Sequence, residues 1–125
     1  MEDAGRRALR AALGMSPEEI AKVSPYILRM VGSYPRLQHY QIVAEVIDAR
    51  YCGAGVKTGQ KYVFRAMPPL LLPEESDCPL CLRALGPLTS LVGNVMERLN
   101  EGGDPEGGML RVAECLDPGL EHGGL

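Results

Sequence analysis

Tyr40-Gln41-Ile42-Val43-Ala44-Glu45-Val46-Ile47-Asp48-Ala49-Arg50-Tyr51 is the stretch whose reading decides the fold. Ile42, Val43, Val46 and Ile47 fit helical spacing, and they fit a strand buried on both faces equally well. Their β-branching favours a pleated backbone, so a strand is expected, and the chain reads as α+β instead of all-helical. Cys52 to Gly59 follows as a loop with three glycines. Lys61-Tyr62-Val63-Phe64-Arg65 then alternates in the manner of a second, antiparallel strand. Pro68-Pro69 and Pro73 bracket Leu70-Leu71-Leu72, which predicts an extended apolar lining or lid with no regular element.

Beyond it, Asp77-Cys78-Pro79 opens the longest helical pattern. Its apolar stripe is Leu82, Leu85, Leu88, Leu91, Val92, Val95, Met96 and Leu99, interrupted by Gly86-Pro87, where a kink is expected. Asn100 to Gly108 is a glycine-rich connector, Met109 to Cys115 reads as a last short strand, and Asp117-Pro118-Gly119 as a turn into a polar tail. On the N-terminal side, Glu2 to Leu13 is rich in helix formers, and Gly14 is suited to stop the helix. Ser16-Pro17-Glu18-Glu19 has the form of a capping box with proline at the first helical position, and Ser24-Pro25 repeats the cap and proline. Two short helices are therefore expected, near 17–23 and 25–33. The resulting architecture is α+β: N-terminal helices over 1–39, a small mainly antiparallel sheet packed by one long helix over 40–118, and a polar tail over 119–125, all within one domain.

The 125 residues include 15 glycines and 10 prolines, so the chain is rich in loops; with one Phe, five Tyr and no Trp, its core must be largely aliphatic. Net charge is −3, divided as +2 over residues 1–39 and −5 over the remainder. That balance, with no Lys/Arg cluster interleaved with aromatics, argues against a nucleic-acid surface. No apolar run approaches the roughly 20 residues that span a bilayer. Met1 to Met15 has arginines but no apolar core of a signal segment. A cytoplasmic protein with no membrane partner is expected.

Four cysteines then carry the chemistry. In a reducing compartment Cys52, Cys78, Cys81 and Cys115 read as metal ligands or reactive thiols sooner than as disulfides. Cys78-Pro79-Leu80-Cys81 is expected to set Cys78 as a helix N-cap, with both thiols in the first turn, where amides and dipole favour thiolate. Two chemistries suit that placement. With Cys52 and Cys115 the pair completes a four-thiolate metal site, for which zinc is the first choice and an iron–sulfur cluster the second. Alternatively Cys78 attacks and Cys81 resolves, as in a thiol-dependent enzyme or redox protein. A third class is an interaction module whose cysteines are simply small buried residues.

Cys78 to Cys81 resembles the active-site turn of glutaredoxins over four residues only, without the strand that should precede such a turn. A wider resemblance rests on Val43, Val46, Cys52, Gly55, Gly59, Tyr62, Cys78, Pro79, Cys115, Asp117 and Pro118. In that order the chain is similar to a family of small, functionally uncharacterised bacterial and archaeal proteins, with a Cys, a Gly-x-x-x-Gly loop, a Cys-Pro helix start and a Cys-x-Asp. The resemblance implies the strand–loop–strand–helix order and the cysteine set, and it implies no reaction. Members of that family continue into a final strand where this chain reads Glu121-His122-Gly123-Gly124-Leu125, which leaves open the completeness of the sheet and of the chain.

Other residues carry plainer readings. Gly53 to Gly59, with Lys57-Thr58, has a passing likeness to a phosphate loop but lacks its spacing and the helix that should follow. His39 and His122 read as boundary and tail residues, with His39 a substitute ligand should Cys52 or Cys115 point away. Asp77, Glu114 and Asp117 adjoin cysteines and read as a cap, an exposed strand position and a turn. Tyr26, Met30 and Tyr34 lie along one side of the N-terminal helices, where a second copy of the chain could pack to form a homodimer.

Overall fold

The computed structural model describes residues 2–107 and 111–116. Its elements are α1 (Glu2–Leu13), α2 (Pro17–Ile20), α3 (Pro25–Leu37), β1 (Gln41–Glu45), β2 (Lys61–Arg65), β3 (Leu70–Leu71), a 3-10 turn (Pro73–Glu75) and α4 (Leu82–Asn100). The fold is α+β, with N-terminal helices, a three-stranded antiparallel sheet in the order β1-β2-β3, and a long helix across it. Among the described residues no helix is long and apolar enough to cross a membrane.

The helical unit follows its caps. Ser16 accepts from the Glu19 amide at 3.2 Å while Glu19 accepts from the Ser16 amide at 2.7 Å, the reciprocal pairing of a capping box. Ser24 accepts from the Ile27 amide at 3.3 Å and starts α3. Gly5 lets α1 lie against the backbone of α3: a Cβ there would stand 2.0 Å from the Leu28 carbonyl oxygen. Leu9, Ile20, Leu28 and Val31 close into one apolar cluster at this contact. α3 runs on through Pro35 to Leu37, one turn past the expected end near residue 33. The added turn is held from outside, since the Arg36 guanidinium donates to the Leu99 and Asn100 carbonyls at 2.5 and 3.2 Å. It thereby satisfies the open carbonyl end of α4.

In the sheet, Gln41 faces Arg65, Val43 faces Val63 and Glu45 faces Lys61. β1 is shorter than the stretch from Tyr40 to Tyr51 suggested. The chain leaves the ladder after Val46, whose amide and carbonyl bond Gln60 and Gly59 at 2.9 and 2.8 Å. Leu70–Leu71 corrects an expectation, because it is a short strand paired with Phe64 and Arg65. Prolines remove only their own donors and favour extended backbone in the residue before them, so the leucines between them can still join a sheet edge.

Beyond β3, the same side of β2 is completed without a strand: Ser76 Oγ accepts from the Val63 amide at 2.9 Å and Asp77 accepts from the Lys61 amide at 2.7 Å. Tyr62 and Phe64 turn toward α4 and form a core with Cys78 and Val92, flanked by Ile42, Ala44, Leu85, Leu88 and Met96. Leu37, Ala66 and Leu99 join this body to the helical unit.

Two further expectations are corrected at α4 and after it. The helix begins at Leu82, with Cys81 as its N-cap at φ −82° and ψ 123° and no side-chain capping bond. Cys78 and Pro79 lie outside it, because the Pro79 carbonyl is taken by the Cys81 amide at 2.8 Å and by the Tyr62 hydroxyl, which a first helical turn would not permit. Leu82, assigned to the apolar stripe, is 84% exposed. The expected strand Met109–Cys115 is not formed over residues 111–115. That segment finds its bond on a helix instead, the Leu116 amide donating to the Arg83 carbonyl at 2.9 Å. Met109, Leu110, Asp117, His122 and the polar tail lie outside the described residues.

Candidate thiol site

The Leu116 bond has a cause in the sequence. Pro87 has no N–H, so the carbonyl four residues before it, that of Arg83, lacks its helical donor. The Leu116 amide fills the gap, and its side chain comes within 3.8 Å of where a Cβ on Gly86 would be. Gly86-Pro87, expected to mark a kink, thus acts as a landing place for the segment that carries Cys115. Cys115 is exposed and lies one residue from this anchor, while Cys81 caps the same helix.

Cys78 is buried at 5% exposure, under Tyr62 and Phe64. Burial pushes its thiol above the ordinary value of 9.0; a hydrogen bond with Tyr62 opposes this, and Asp77, Cys52 and Cys81 push it further up through their charges. Cys52 and Cys81 are therefore electrostatic neighbours of Cys78, both half-buried. Cys52 arrives on a turn whose carbonyl accepts from the Gly55 amide at 3.1 Å, next to Tyr51 at φ 56°. No two of the four cysteines form a disulfide. Among the described residues no three His, Cys, Asp or Glu side chains stand in an arrangement that would hold a metal ion as they are.

Tyr62 is the residue that sequence reasoning left out of the site. Its hydroxyl donates to the Pro79 carbonyl and bonds the Cys78 thiol, and burial drives its own acidity well below that of an ordinary tyrosine. The signal was present in the alternation of residues 61–65, which puts Tyr62 on the inward face with Phe64, their ring centroids 6.5 Å apart.

The remaining candidates are elsewhere. Asp77 holds the Lys61 amide, a structural task. His39 and Glu114 are exposed. The Lys57 amide is occupied by Gln60 Oε1 at 2.7 Å, and the loop leads into β2 and not a helix, so the phosphate-loop likeness fails. Tyr26 and Met30 line an open groove of about 250 Å³ with Arg29, Ser33, Asn100 and Glu101, between α3 and the end of α4. No protein-family model, no curated protein and no solved structure matches this chain.

Proposed function

We propose that this chain is a small metal-binding protein in which the thiolates of Cys52, Cys78, Cys81 and Cys115 hold one zinc ion in a structural or accessory role. The observation that carries the reading is the 2.9 Å bond from the Leu116 amide to the Arg83 carbonyl, which tethers Cys115 beside the helix end that Cys81 caps. Cys78 lies three residues before that cap, and Cys52 acts on Cys78 through its charge. Zinc takes four ligands in a tetrahedron with thiolate sulfurs near ~2.3 Å. Cys52, Cys81 and Cys115 stand on turns, a helix cap and an irregular segment, so their side chains can swing toward the buried Cys78 without breaking the β1-β2 register. Binding must then displace protons from the thiols. The raised affinity of Cys78 for its proton disfavours attack by a free thiolate and is equally a cost that zinc must overcome, since the metal too takes the thiolate.

Cobalt(II) added to metal-free protein tests the reading. One equivalent is expected to give intense thiolate-to-cobalt charge-transfer absorption and tetrahedral ligand-field bands, and zinc should displace it. Cys115→Ser should weaken binding beyond the ~10–100-fold typical of losing an outer-shell partner. Absence of these bands, with all four thiols alkylated at an ordinary rate in the presence of zinc, would sink the proposal.

A further inference from the structure

The sheet has two edges, and they are built differently. At β3 the edge is two residues long, with Pro68 and Pro69 before it and Pro73 after it, and the stretch from Leu72 to Asp77 covers the rest of β2. Short strands and prolines are the usual guards against edge-to-edge pairing. At β1 the edge is five residues, Gln-Ile-Val-Ala-Glu, with no proline, and among the described elements only β2 and α4 touch it.

The hydrogen-bond phase fixes what this edge offers. The Val46 amide bonds Gln60 and the Tyr40 carbonyl accepts from Ala66, so the even-numbered residues of β1 turn their backbone groups to β2. The amides and carbonyls of Gln41, Val43 and Glu45 therefore point outward. Their side chains lie on the face away from α4, with Val43 52% exposed.

We propose that a second copy of this chain pairs antiparallel along β1, about a two-fold axis at Val43, to make one continuous six-stranded sheet from two sheets of three. The strand is complementary to itself in this register. Val43 meets its own copy, extending the Val63–Val43 pair into an apolar row across the axis. Gln41 of each chain faces the partner's Glu45, and up to about six backbone hydrogen bonds form between the outward groups.

Charge agrees along each flanking row. Glu45 is paired with Lys61 and Gln41 with Arg65, so a row reads Lys61, Glu45, the partner's Gln41, the partner's Arg65, with each carboxylate between a cation and an amide donor. Gln41 Nε2 donates to Glu75 at 3.0 Å and keeps a second N–H for the partner's Glu45. The N-terminal helices, where the sequence suggested a dimer contact, bury Leu9, Ile20, Leu28 and Val31 against one another, while Tyr26 and Met30 line the open groove beside α4. This pairing stands independently of the metal reading.

Sedimentation equilibrium of the full chain over a wide concentration series tests it. The expected species has twice the chain mass of 13.5 kDa. Val43→Lys sets like charges across the axis and should raise the dimer dissociation constant more than about tenfold. Val43→Pro removes an outward amide and no β1-β2 bond, so it should do the same with the circular dichroism kept. A monomer at every concentration, or a dimer that neither substitution weakens, overturns the proposal. Should both variants misfold, hydrogen exchange on the unaltered chain decides. The Gln41, Val43 and Glu45 amides must slow at high concentration and speed up on dilution, and rates independent of concentration overturn it.

Discussion

Cys78 and Tyr62 share one buried corner, and their chemistry is set by what covers them more than by their neighbours in sequence. A CxxC read at a helix start promises thiolates; with the helix starting three residues later than expected, Cys78 sits in the core and keeps its proton. In the metal-free chain the native state therefore binds a proton that the unfolded chain releases near the ordinary thiol value of 9.0. That contribution to stability is complete below about pH 9 and is lost as pH rises through the raised native value. Tyr62, raised from 10.0, acts in the same direction at higher pH. Urea midpoints measured from about pH 8 to about pH 11 should fall, and Cys78→Val should flatten the first part of the fall. Equal slopes in the two proteins would show that Cys78 contributes nothing. The cysteine was legible in the sequence as a special residue, but its protonation was not, because desolvation depends on Phe64 and Val92 arriving from other elements.

Among the elements, α4 shows how a local defect becomes a tertiary contact. Pro87 leaves the Arg83 carbonyl open, and the segment after the glycine-rich connector supplies the Leu116 amide. Pro87→Ala restores an intrahelical donor for that carbonyl and removes a penalty of ~3 kcal/mol in a helix interior. It should therefore stabilise α4 while freeing residues 111–116, seen as faster proteolysis and faster amide exchange in that segment. If the proposed metal site is formed, zinc affinity should fall in the same variant. Unchanged exchange at Leu116 would mean that the Arg83 carbonyl is not what holds the segment. The proline was visible in the sequence as a helix interruption; that its orphaned carbonyl lies opposite Leu116 was not, since the two are 33 residues from Arg83 to Leu116 along the chain.

At the scale of the molecule, two bodies meet at one small junction. The helical unit has its own cluster, the sheet and α4 have another, and Leu37, Ala66 and Leu99 bridge them with Arg36 on the last carbonyls of α4. Leu37 is 1% exposed, so Leu37→Ala should cost about 2–5 kcal/mol by lost burial and cavity. The test is denaturation followed both by helix signal and by peptide-mapped alkylation of Cys78, which is buried in the sheet body. A variant of unchanged stability would show that the junction carries little of the fold. Loosening it should also let the two bodies unfold in separate transitions.

Composition, caps and periodicity determined by themselves that the chain is α+β, that serines start α2 and α3, and that β1 and β2 form an antiparallel pair, because each rests on local geometry or on alternation along one segment. Tertiary structure alone decided where α4 begins, that the proline-bracketed leucines join the sheet, that residues 111–115 leave it, and that Tyr62 lies on Cys78. In each of these the backbone had two local options of similar cost, and a partner far along the chain, the Tyr62 hydroxyl, the edge of β2 or the Arg83 carbonyl, selected one.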